Sequence, residues 1–244
     1  ELARRFERGV GLAEDDWDDW ADRFRQAGDA RERLGFLQRL RRVGGIVLDD
    51  DAAGTGATAL AGGSSLINLT AGTAGITAKN ANNTFAEIAT TGATVTLNTT
   101  GTIGTNANRI QFADNTNTAQ QRVTIWATNQ ASNVSLDGLG TLTIAAITGN
   151  TANTVVDVTA RTGLNVDGTI TSGTGTITLG ADLTAAGAAD NAAGTLTLLT
   201  GASVTSANTT TSAITLRGAD IDINGTASVS ATGTTGGVVV RTSD

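Results

Sequence analysis

The sequence contains no His, Cys, Pro, Met or Tyr. Without His or Cys there is no Ser-His-Asp triad and no thiolate nucleophile. Zinc sites use His or Cys in nearly every case, so zinc chemistry is excluded too, as is a disulfide framework. Average usage would place roughly twelve prolines in a chain this long. Positive charge is scarce beyond the N-terminal part, where Lys79 is the single lysine of the chain. With an isoelectric point near 4.6 and no basic stripe, neither nucleic acid nor an anionic membrane surface is a fitting partner. No apolar run approaches the ~18 residues of a membrane span. Neither GxxxxGK[ST] nor a strand-linked GxGxxG occurs, so no phosphate-cradling loop is expected and no cofactor is called for. The chain opens at Glu1 without the basic, apolar, small-residue order of an export signal, and reads as a mature or excerpted chain.

What is present falls into two unlike parts. Thr occurs 44 times, yet the first is Thr55. Residues 1–51 hold 10 Arg and 13 acidic residues, a net of −3, and residues 52–244 hold 6 basic and 10 acidic, a net of −4. Within the first part, Leu12, Trp17, Trp20, Ala21, Phe24 and Ala27 fall largely at i, i+3, i+4 and i+7, one apolar stripe on a helix. Glu14, Asp15, Asp16, Asp18 and Asp19 crowd its start, where they favour the helix dipole. A second helix is expected from Asp29 to Val43. Asp29 and Glu32 form a capping box, Leu34, Leu37 and Leu40 form the stripe, and Gly44–Gly45 stop it. The sequence thus predicts a helical hairpin over residues 1–45 that caps or docks onto the rest, since repeat arrays need a terminal unit shielding their apolar end. A partner-binding patch is the other use of these tryptophans.

Residues 46–244 are expected to form a second unit, all β. Short runs alternate apolar and small polar residues, as in Gly194–Asn224, where Leu196 and Leu198 alternate with Thr and Ile221 and Ile223 with Asp. Period-two alternation over such runs marks strands with one buried face, and low-complexity disordered tracts lack it. Ile177 to Leu196 is 19 residues and Leu196 to Ile214 is 18. A recurrence near twenty residues, with several strands per unit, predicts a parallel β-helix of roughly eight to ten coils. Asp137–Gly138, Asp167–Gly168 and Asn224–Gly225 are the few dipeptides of hairpin type, too few for an antiparallel sandwich. Asn80–Asn83 and Asn115–Asn117 are expected to form amide ladders at the bends, and longer inserts are expected at Asp114–Gln121 and Ala185–Ala193.

The stretches GTLTL (Gly194–Leu198), AITLRGADIDING (Ala213–Gly225), LNVDGTITSGTGTITLGADL (Leu164–Leu183) and TVTLNTTGTIG (Thr94–Gly104) resemble the filamentous-haemagglutinin class of bacterial β-helix adhesins. The resemblance covers about residues 60–240. It implies a right-handed parallel β-helix, extracellular or on the cell surface, structural or adhesive, with surface glycans as one class of partner. That family's secretion motifs are not visible here, and the Arg/Asp/Trp-rich head is not part of its usual pattern.

Few residues suggest chemistry. Asp49–Asp50–Asp51 lacks the spaced ligands of a calcium loop and reads as a solvated turn. Asp220 and Asp222 share one side of a strand, about 7 Å apart on strand geometry. With Asp157, Asp167 and Asp182 stacked nearby they would suit carboxylate-based polysaccharide cleavage; solvation of an outer face is the plainer reading. Thr94/Thr96, Thr141/Thr143, Thr176/Thr178 and Thr195/Thr197 would form a flat hydroxyl grid of the ice-binding type if stacked, although Thr also suits any exposed strand. Trp126 would stack on a sugar or fill a wide coil. The reading that fits best is a non-enzymatic solenoid that assembles head to tail with copies of itself. The N-terminal helices cover one end, and Val238 and Val240 lie at the other.

Overall fold

The computed structural model describes residues 45–49, 60–61, 67–90, 94–114, 121–125, 132–148, 154–190 and 193–243. The expected helical hairpin, with Trp17, Trp20, Phe24, Leu34, Leu37 and Leu40, lies outside them, as do Asp50, Asp51, Asn115–Asn117 and Trp126. Among the described residues there are strands and no helix.

In chain order the strands are β1 (Ile46–Leu48), β2 (Leu60–Ala61), β3 (Ile67–Thr70), β4 (Ile76–Ala78), β5 (Ile88–Thr90) and β6 (Thr94–Asn98). Next come β7 (Ile110–Asp114), β8 (Gln121–Ile125), β9 (Asn133–Gly138), β10 (Thr141–Thr148), β11 (Val155–Ala160), β12 (Gly163–Val166) and β13 (Thr169–Thr171). The last are β14 (Ile177–Ala181), β15 (Thr195–Leu198), β16 (Ser203–Ser206), β17 (Ile214–Gly218), β18 (Asp220–Ile223), β19 (Ser228–Ala231) and β20 (Val238–Thr242).

These strands pair in parallel from one coil to the next, in register apart from a one-residue shift between Ile144 and Ala146 where β10 meets β8. One ladder of eight runs β2-β5-β7-β9-β11-β14-β17-β20. A ten-stranded sheet carries β3-β6-β8-β10-β12-β15-β18, with β10 also starting the branch β10-β13-β16-β19. The first half of β10 pairs with β12 and its end pairs with β13, so one long strand gives way to two with a corner at Asp167–Gly168. From there each coil has three sides. The protein is a parallel β-solenoid of about six turns.

The expected eight to ten coils are therefore too many, and the pairing shows why. Ile214 stacks on Ile177, 37 residues upstream, and Leu196 stacks on Leu164, 32 upstream. The recurrence of 18 to 19 residues runs from one side of a coil to the next side, not from coil to coil. Elsewhere the repeat is shorter, as where Val156 stacks on Val134, 22 residues upstream. Inserts at the corners set these different lengths.

The alternating apolar residues fill the interior in columns. Leu136, Val158, Leu179 and Leu216 stack in register and are each fully buried. Each such side chain contributes about 1.5–3 kcal/mol relative to exposure. Backbone amides find carbonyls one coil away, which satisfies the main chain of the described residues without any helix among them. Corners demand small residues. At Gly75, φ is +83° and an added Cβ would lie 2.2 Å from the carbonyl oxygen of Thr102 in the next coil. At the bend holding Asn82 the amide does not stack on a like amide. Asn82 instead accepts from the Arg109 amide at 2.6 Å and donates to the Asn106 carbonyl at 2.8 Å, joining side chain to backbone across coils. Asp137–Gly138 ends β9 rather than forming a turn.

Candidate functional site

Two regions differ from a plain stack of coils: the end formed by the last strands, and a polar layer on the outer side of the eight-stranded ladder.

At the end, β18, β19 and β20 pair on one side only among the described residues. The inward columns reach solvent here. Val238 is 41% exposed and Val240 61%, although the residues they stack on, Ile214 and Leu216, are 0% exposed. Ile223 is 50% exposed above a buried Leu198. An open strand edge over an apolar interior is a surface that another strand layer completes.

The polar layer comes from side chains that point outward from β7, β9 and β11 and are then covered. Gln111, Asp137 and Thr159 occupy consecutive rungs. The Gln111 side chain donates to Asp137 Oδ2 at 2.9 Å and Thr159 donates to Asp137 Oδ1 at 2.8 Å. Glu87 Oε2 accepts the Gln111 amide at 2.6 Å, replacing a ladder carbonyl. Burial pushes the Asp137 carboxyl above its usual 3.8, although both hydrogen bonds and the nearby Arg161 and Arg109 favour its charged form. Arg161 lies 3.9 Å from it, too far to offset the lost water.

Arg109 fastens this layer. Its guanidinium donates to the carbonyls of Leu136 and Asp157 at 3.1 and 3.0 Å, to Asp157 Oδ2 at 2.8 Å, and to the carbonyl of Ala185 at 2.9 Å. Ala185 belongs to the insert after β14, which folds back over the sheet. The insert is closed by the Leu183–Ala189 bridge, and Leu183 packs above Gly180, which has no side chain to obstruct it. From the other side Arg217 donates to the Gly187 carbonyl at 3.0 Å and to the Ser243 carbonyl at 3.0 Å. Between insert and sheet remains a half-open cleft of about 230 Å³, bordered by Asn106, Asp157, Thr178, Leu183, Ala186 and Arg217.

The residues singled out in the sequence are spread over the molecule. Asp220 and Asp222 are exposed on β18, opposite Thr195 and Thr197. Asp157 belongs to β11 on the other sheet, Asp167 to the corner after β12, and Asp182 accepts Ser243 Oγ at 2.7 Å beside the insert. The carboxylates expected near Asp220 and Asp222 are thus not gathered around them. Nor do the Thr pairs stack into one grid. Thr141 and Thr143 lie opposite Gly163 and Asn165, Thr195 and Thr197 opposite Asp220 and Asp222, and Thr178 belongs to the eight-stranded ladder. A small hydroxyl array does form elsewhere, where Thr169 and Thr171 stack on Ser203 and Thr205, and these on Ser228 and Ser230. Asp49 accepts from Lys79 at 2.6 Å and from Asn80 at 3.2 Å, an occupied carboxylate rather than an open ligand. Among the described residues no group of three or more His, Cys, Asp or Glu side chains is placed to hold a metal, and no helix is long and apolar enough to cross a membrane.

Sequence reasoning missed Arg109, Asp137 and the Arg217 cleft. The one signal available was the rarity of basic residues after Thr55, which makes each arginine there worth following. Family models, curated proteins and solved structures were compared with the chain, and none matches.

Proposed function

We propose that the protein is a non-enzymatic structural solenoid of the bacterial cell surface or extracellular space, an adhesin-type or filament subunit that stacks head to tail with its own copies. What carries this reading is the apolar end at Val238, Val240 and Ile223, where inward columns fully buried at Ile214, Leu216 and Leu198 in the coil before become open to water. Covering three such side chains would contribute a few kcal/mol of apolar burial, and strand pairing on three sides of the coil would add directionality. Contact between unlike ends of identical subunits does not close on itself and generates fibres. The absence of His and Cys supports the non-enzymatic reading, since the carboxylates among the described residues are scattered.

Sedimentation velocity and electron microscopy of the full chain test it. Particles should lengthen with protein concentration. Ile223→Lys combined with Val240→Lys should leave monomers with an unchanged β-sheet circular dichroism spectrum, because a charge on two of the three apolar columns is costly to cover. A wild-type chain that stays monomeric at all concentrations would overturn the stacking reading.

A further inference from the structure

We infer that the cleft under the Leu183–Asp190 insert binds a small hydroxylated carboxylate, either a sugar-acid unit of an acidic glycan or a free hydroxy acid. The argument begins with charge. Arg109 is neutralised by Asp157 at 2.8 Å. Arg217 donates only to two backbone carbonyls and has no ion pair among the described residues. The next rung places Arg241 directly opposite Arg217. Adjacent strands are about 4.8 Å apart, and like charges facing each other across a ladder destabilise it. On the opposite side of Arg217 the rung is Gly180, which leaves space instead of a carboxylate. Among the described residues the cleft therefore holds one cation without a carboxylate partner, Arg217, with Arg241 on the adjacent rung outside the lining, in a partly desolvated setting where an anion is attracted more strongly than in water.

The remaining polar atoms narrow the ligand. Thr178 makes no side-chain hydrogen bond among the described residues, and Asn106 uses only its Oδ1, which accepts from Ser135 at 3.1 Å. Arg217, the Thr178 hydroxyl and the Asn106 amide thus supply donors for a carboxylate. Asp157 engages Arg109 through Oδ2 and leaves Oδ1 to accept from a ligand hydroxyl. A dianion such as phosphate meets repulsion from Asp157, whereas a monoanion carrying hydroxyl groups uses that carboxylate as a partner. Leu183 and Ala186 give a small apolar border for C–H groups. At about 230 Å³ the cleft is below the ~300–1,000 Å³ of drug-sized sites, which suits one sugar unit or one small acid.

This inference does not depend on head-to-tail stacking, and its failure would leave that reading intact. Isothermal titration and saturation-transfer NMR on the full chain would use D-galacturonate, a galacturonate oligomer, D-gluconate, D-glucose and inorganic phosphate. Binding is expected for galacturonate or gluconate, weakening with added salt, with glucose and phosphate at least tenfold weaker. Binding of the oligomer and galacturonate but not gluconate would identify a glycan unit; gluconate alone would identify a free acid. Thr178→Val removes a hydroxyl with no structural partner and should weaken binding roughly tenfold at an unchanged melting temperature. No binding of any carboxylate at millimolar concentration would overturn the inference, as would equal binding of glucose or an unaltered affinity in Thr178→Val.

Discussion

At the scale of single residues, Asp137 shows how an outward position becomes an interior one. It follows Leu136 in β9 and points away from the apolar core, yet it is 0% exposed because covering segments and Arg161 close over it. Nothing in its local sequence distinguishes it from Asp222, which has the same alternation and is exposed. Period-two patterning tells inward from outward; it carries no information about which outward face is covered later. Burial raises the Asp137 pKa above 3.8, so between 3.8 and that raised value the folded state binds more protons than the unfolded chain. Stability must then fall as pH rises through that window. Asp137→Asn keeps an acceptor for Gln111 and removes the cost of burying charge. Its melting temperature should exceed wild type at pH 7, and the two should converge below pH 3.8. Asp137→Ala leaves Gln111 and Thr159 without their buried partner and should cost about 1–3 kcal/mol in a denaturant titration. A wild-type melting temperature independent of pH from 3 to 7 would mean that Asp137 does not titrate as burial requires.

At the scale of elements, the strands were readable and their grouping was not. Val134 with Leu136, Leu142 with Ile144, Leu164 with Val166 and Ile214 with Leu216 each declare a strand through alternation, and each is one. Which strand stacks on which depends on corner and insert lengths, and those vary without a sequence signature, so side-to-side spacing passed for coil spacing. The insert after β14 illustrates the difficulty. Ala185–Ala193 reads as a small-residue loop whose one charge is Asp190, but its position depends on Arg109, 76 residues before Ala185. Arg109→Met should destabilise the chain by about 3–5 kcal/mol, because it strips Asp157 of its cation in a largely buried setting. Arg109→Lys should rescue little, since one ammonium cannot reproduce the planar fork that joins Leu136, Asp157 and Ala185. Denaturant titration gives the energies. Limited proteolysis should show new cleavage within residues 183–190 in both variants, and resistance there would mean that the insert is held by other contacts.

At the scale of the whole molecule, the solenoid is close to one-dimensional, each coil contacting its neighbours through stacked columns. Removing the last coil should therefore shorten the structure without dissolving it. A chain ending at Gly218 loses β18, β19 and β20 and uncovers Leu196, Leu198, Val204, Ile214 and Leu216, all 0% exposed in the full chain. That new end repeats the old one in kind: an unpaired parallel edge above an apolar column. If association depends on this general property of a coil, the truncated chain should still assemble, and somewhat more readily, since Leu and Ile replace Val at the exposed positions. If association instead depends on particular side chains of the last coil, such as Asp220, Asp222 or Arg241, the truncated chain should be monomeric while keeping its β-sheet spectrum. Sedimentation velocity of the two chains at matched concentrations separates the outcomes. Assembly that persists after truncation would assign the contact to the coil geometry itself, and assembly that vanishes would assign it to the charges on the final rung.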